Sequence, residues 1–296
     1  MNLKMGIKRN PVITSEMKIK MRGWRTALAV AAYLAVLLFI GFLYYLTFIE
    51  SSYSYRNTVN AFQEMGMQLY SMLAVLQFSL LILITPAQTA GGISGEREKQ
   101  TLDLLLSTKI SSFGIIFGKL ISSMSYVLLL IITSIPLFSL IFLFGGVTPG
   151  DMIKLFLFYI ITVFSVGSIG IFFSTVFKRT VTSTVITYIV IFFLGLISVI
   201  LGIYMIQAQF RGTGHVTNPR IPFILYINPA VGLADILTAE QGGVSQFLGY
   251  NIGTQTGLDF WIINSIVMMT IAAGLLYAGV KKINPIHRKK KRKKQA

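Results

Sequence analysis

Residues 120–150 read LISSMSYVLLLIITSIPLFSLIFLFGGVTPG, a run of 31 positions without a charge between Lys119 and Asp151. A helix needs about 20 apolar residues to cross a hydrocarbon core about 30 Å thick. In lipid the backbone must satisfy its own hydrogen bonds, and a run this long without alternation does so as a helix. Working outward, five more runs qualify: 24 residues after Arg25, 31 after Glu64, 23 after Lys154, 31 after Arg179 and 21 after Asp259. They hold dense blocks such as Leu80–Ile84 and Val190–Leu194. The next apolar stretch, Ile221–Ala234, has 14 residues and two prolines, so it does not span. The expected fold is an all-α membrane protein of six transmembrane helices, at 27–49, 66–86, 120–143, 155–177, 183–206 and 260–280.

Composition agrees. The 296 residues are 54% hydrophobic and 12% charged, with mean hydropathy +0.72; soluble domains carry about 25% charged residues. No cysteine is present, which excludes disulfides, thiolate nucleophiles and cysteine-ligated metals. A net charge of +16 in a soluble chain points to nucleic acid. Sorted across six spans, it becomes +18 on the side of the termini and −2 on the other. The positive-inside bias then places both termini in the cytoplasm. Trp24 and Tyr44/Tyr45 bracket the first span as interfacial anchors, and Trp261 and Tyr277 bracket the last. A cleaved signal peptide fits poorly, because the first apolar block is long and no A-x-A site follows it.

Before the first span, residues 10–25 read as an amphipathic helix. Asn10-Pro11 suits a helix start. Ile13, Met17, Met21 and Trp24 form one stripe, with Lys18, Arg22 and Arg25 off it. Such a helix lies on anionic inner-leaflet lipids; an ordinary basic flank is the competing reading. The tail Arg288–Lys294 is seven consecutive basic residues directly after a span. Binding to anionic headgroups is favoured there over nucleic acid or nuclear targeting.

The loop after the second span is the most informative. It reads Gly91-Gly92-Ile93-Ser94-Gly95-Glu96-Arg97-Glu98-Lys99-Gln100-Thr101-Leu102-Asp103-Leu104-Leu105-Leu106-Ser107-Thr108-Lys109. Acidic residues open it and a lysine closes it, matching a helix dipole. Leu102, Leu105 and Leu106 share one face. That face either lies on the membrane or docks in a partner's groove.

Residues Gly95–Thr108 closely resemble the G-E-R-E-x-G-T-L-E-L-L-L-S-T-P loop of ABC-2-type transporter permeases. Gln100 stands where glycine is usual, Asp103 replaces glutamate, and Lys109 replaces a common proline. The resemblance extends to the architecture of interfacial helix, six spans, cytoplasmic termini and long outer segment. It implies a single transmembrane permease domain over 1–296, with residues 94–108 as a cytoplasmic coupling helix. That helix seats in an ABC-type ATPase subunit, with Gly95, Glu96, Arg97, Glu98, Thr101, Leu102, Leu105 and Leu106 as coupling residues. Two such chains, or this one with a second permease, would pair in a bacterial plasma membrane. The resemblance also implies short re-entrant helices in the outer segment 207–259. Asn228-Pro229 is a suitable start for one; an irregular extracellular loop is the alternative.

Other chemistry is missing from the pattern. Gly114–Lys119 lacks P-loop spacing and is followed by Leu120, so no ATP site is encoded and the chain is not expected to be an enzyme. His215 and His287 lack ligand-like neighbours, so neither a metal nor another cofactor is expected. No span carries an ionisable residue at its centre, where ion-coupled transporters usually need one. Pro136 is placed to kink the third span, unless the helix simply tolerates it. Ala27, Ala31 and Ala35 permit close helix packing.

The favoured function is therefore the permease subunit of an ATP-driven transporter, exporting a hydrophobic or amphipathic substrate. A membrane sensor or immunity scaffold that recruits a cytoplasmic partner is the alternative. A passive channel is disfavoured, since it needs no docking helix.

Overall fold

The computed structural model describes residues 23–52, 58–107, 111–213, 220–239, 243–248 and 259–283. The amphipathic segment expected at 10–25 lies outside them except for its last residues, and the basic tail lies wholly outside. The helices are α1 (Trp24–Ser52), α2 (Thr58–Thr89), α3 (Ser94–Glu98), α4 (Leu102–Ser107), α5 (Ser112–Ile141), α6 (Pro149–Val176) and α7 (Thr180–Thr213). A 3₁₀ helix (Phe223–Ile227), α8 (Pro229–Leu237), α9 (Val244–Leu248) and α10 (Phe260–Ile283) follow. No strand occurs among the described residues. Six of these helices, α1, α2, α5, α6, α7 and α10, are long and apolar enough to cross a membrane.

The hub of the bundle is α6. Its start is defined by Thr148 and Asp151, which form a reciprocal capping box, with Pro149 at the first helical position. Within its most apolar window 61% of residues are buried, against 11% in α1 and 17% in α7. It packs most extensively on α10, and also on α2, α5, α7 and α8. Lipid is as apolar as leucine, so the packing of such helices relies on close approach and polar contacts. Both occur here. A Cβ on Gly170 of α6 would run into Thr89 of α2, so only glycine allows this crossing. The Tyr159 hydroxyl donates to the Ala74 carbonyl at 2.8 Å, and the Gln77 amide donates to Ser134 Oγ at 2.8 Å.

Between α2, α5 and α6 the rings of Tyr70, Phe138, Phe156 and Tyr159 form an edge-to-face series, the arrangement ring quadrupoles favour. Pro136 lies inside helix α5, which runs on to Ile141. By contrast, Ala27, Ala31 and Ala35 are exposed on α1. This small-residue row does not serve packing within the chain. Leu38, Phe39, Phe42 and Leu43 are also exposed on α1.

The outer segment is not all external to the bundle. Asn228 accepts from the Ala230 amide as the cap of α8, with Pro229 at the first position. Its own amide donates to the Gly195 carbonyl and to Ser198 Oγ, both at 2.9 Å. Gly195 is 15 residues into α7, roughly 22 Å along the helix at the standard rise. The start of α8 therefore sits beside the middle of a spanning helix.

Candidate functional site

The stretch 94–108 contains two short helices, where the pattern of leucines predicts one. The break is chemical: Gln100 has φ 59°, left-handed backbone. The Thr101 amide donates to the Glu96 carbonyl at 2.9 Å and the Gln100 amide to the Arg97 carbonyl at 3.2 Å. This is the Schellman pattern that ends helices, in which the left-handed position usually belongs to glycine. The glycine usual at this position in the resembling loops thus has a physical role, and Gln100 occupies the same backbone conformation with a Cβ.

Helix α3 is tied to three spans by three consecutive side chains. Glu96 Oε1 lies 2.7 Å from Lys119 Nζ on α5, and the lysine is nearly buried. Thr101 Oγ1 donates to the other Glu96 oxygen. Arg97 donates to the carbonyls of Thr175 and Phe177 at 3.2 and 3.1 Å, where α6 ends and leaves acceptors unpaired. Glu98 accepts from the Thr180 amide at 2.9 Å and from its hydroxyl, which satisfies donors at the start of α7. Beneath them the Ile93 and Ser94 amides both donate to Ser174 Oγ, at 2.7 and 2.8 Å.

Electrostatics follow from these contacts. Burial pushes the Glu96 carboxyl up, but hydrogen bonds from Lys119 and Thr101 and the lysine charge outweigh it and hold it below the usual carboxylate range. The Thr180 hydroxyl and amide hold the exposed Glu98 carboxyl low. Both remain ionised at neutral pH.

The leucine face is turned inward. Leu102 is buried in the chain's own core, and Leu105 and Leu106 pack against it, half-buried. The residue α4 presents outward is Leu104, 71% exposed, flanked by exposed Asp103 and Ser107. Gly95 is half-buried near the Thr180 methyl. Of the eight residues singled out from sequence, Glu96, Arg97, Glu98 and Thr101 thus join one polar cluster. Lys119, Ser174 and Thr180 complete it and were not singled out. Lys119 left a legible signal, a charge at the edge of an apolar run. Ser174 and Thr180 left none.

The described residues contain no group of acidic or histidine side chains able to hold a metal ion. Comparison with family models gives a match to the ABC-2 family transporter protein over residues 48–280. No curated protein matches the chain. The matched region takes in five of the six spans entire to within a few residues, the end of α1 and the whole polar cluster. A six-span helical bundle with this loop, matched over most of its length, belongs to the ABC-2 transporter family as a membrane-spanning permease.

Proposed function

We propose that this chain is half of the translocation pathway of an ATP-driven exporter in a bacterial plasma membrane, and that α3–α4 receives the push of a separate ATPase. The family implies ABC-type ATPase partners. The observation that carries the coupling assignment is the anchoring of Glu96, Arg97 and Glu98 to α5, α6 and α7. A loop fastened to three spans at once transmits a displacement to the bundle as a unit, whereas a loop on a tether would absorb it. Two-state rocking of packed helices then links ATP closure to inward- and outward-open forms.

On this reading the contact with the ATPase is made by the outward side of α4, with Leu104 at its centre and Asp103 and Ser107 beside it. Leu102, Leu105 and Leu106 support that surface from beneath. The exposed faces of α1 and α7 meet lipid or a second permease, and the absence of charge from the middle of every span suits a hydrophobic or amphipathic substrate. Purification of the full chain with its ATPase, followed by substrate-stimulated ATP hydrolysis in proteoliposomes, tests the assignment. Hydrolysis that is independent of the permease, together with absence of flux, would overturn it.

A further inference from the structure

A cavity of about 290 Å³ lies between α6, α7, α10 and the start of α8, with Ile82 of α2 at its edge. Its walls include Val166, Phe192, Gly195, Pro229 and Met268. The few polar side chains on the lining have their partners elsewhere. Ser165 Oγ donates to the Ile161 carbonyl. Asn228 uses both ends of its amide on Gly195, Ser198 and Ala230. A polar ligand finds nothing to replace its hydration, so the chemistry selects an apolar occupant. An engineered apolar cavity of about 150 Å³ stays dry and admits benzene, and this one is about twice as large.

The direction of access narrows the occupant. Phe192, Leu194 and Leu196 line the cavity and are also exposed on α7, at 65, 45 and 48%. They belong to a spanning helix at mid-length; resting on the proposed function, and taking this face of α7 as one that meets lipid rather than a second permease, the medium outside is hydrocarbon. The cavity is a crevice opening sideways into the membrane. We propose that it is a binding site for a single acyl chain, which enters past Phe192 and lies between α7 and α10 under the cap of α8. Closing this site couples the outer segment to the lipid, because Asn228 joins its wall to α7.

Two glycines make the test clean. Gly195 lines the crevice, and a Cβ there meets nothing within 4 Å. Gly274 on α10 has equally open space and does not line it. The full chain is placed in nanodiscs of phosphatidylethanolamine and phosphatidylglycerol. In one arm these carry a phosphatidylethanolamine with a diazirine on its acyl chain, in the other a diazirine palmitate; adducts are mapped by mass spectrometry after illumination. Adducts should concentrate on Ile191–Leu196 and Met268–Ala272, and exceed those on Phe39 and Phe42 of α1. Gly195→Phe should lower the crevice adducts by about tenfold, a loss of about 1.4 kcal/mol in occupancy, while Gly274→Phe leaves them unchanged. Labelling by the phospholipid assigns the site to bilayer lipid, and labelling by palmitate alone assigns it to a single-chain amphipath. Even labelling of all exposed spans, an unchanged pattern in Gly195→Phe, or loss of labelling when two copies assemble would overturn the site. The labelling needs no ATPase, so its failure leaves the transport assignment standing.

Discussion

Glu96 and Lys119 lie 23 residues apart in sequence and 2.7 Å apart in space, an ion pair with the lysine almost wholly withdrawn from solvent. It joins the loop after α2 to the second turn of α5. A buried charge left without its partner costs far more than the pair contributes. Lys119→Met should therefore destabilise the bundle by about 2 kcal/mol, the cost of an orphaned, partly buried carboxylate. The double change Lys119→Met with Glu96→Leu should recover most of that loss. Thermal midpoints of the purified full chain measure both, and a double variant no better than the single one refutes the account.

Leu104 and Leu102 should fail in different ways. Leu104 is 71% exposed and Leu102 is 8% exposed. Leu104→Asp should insert and fold normally but lose the ATPase on co-purification. Leu102→Asp buries an unpaired charge and should lower the yield of folded protein before docking is at issue. If Leu104→Asp retains its ATPase, α4 is not the docking surface.

Gln100 pays for its left-handed backbone. A side chain in that conformation costs about 1–2 kcal/mol that glycine avoids. Gln100→Gly should stabilise the loop against local opening by up to about 1 kcal/mol, and Gln100→Val should weaken it. Protection of the 95–107 segment from protease, at constant thermal midpoint of the bundle, reads out the local effect.

The outer segment should respond to pH. Asp235 accepts from the amides of Val244 and Trp261, both at 3.0 Å. Burial pushes its carboxyl above the usual carboxylate range, against the pull of those two amides. A carboxyl whose folded value exceeds its unfolded one contributes stability that is fully present below the unfolded value. That contribution is lost as pH rises through the folded value. The junction of α8 with α10 should tighten on acidification toward the ordinary aspartate range, seen as a rise in the midpoint of Trp261 fluorescence. Asp235→Asn should flatten that slope.

Much of the fold was legible because membrane insertion is a local property. Each of the six apolar runs commits to a helix without reference to the others, since an unpaired backbone cannot persist in lipid. A helix end with a side-chain signal was also within reach at Asn228-Pro229, where Asn228 caps α8; the start expected at Asn10-Pro11 lies outside the described residues. The loop illustrates the limit. Its three leucines at helical spacing mark a face, but spacing alone does not say whether that face meets a partner or the chain's own core. Ala27, Ala31 and Ala35 pose the same ambiguity, and they lie exposed on α1.

The charge-free run 120–150 and its five counterparts by themselves determined a six-helix membrane protein, because burial in lipid depends on composition and length. Only the tertiary structure decided what Glu96, Arg97 and Glu98 touch. Their partners Lys119, Thr175, Phe177 and Thr180 come from other spans, and long-range polar contacts leave no periodic trace in a sequence. The same holds for the crevice beneath Asn228, whose walls come from five α-helices and the 3₁₀ helix and whose shape is a property of their packing, not of any one of them.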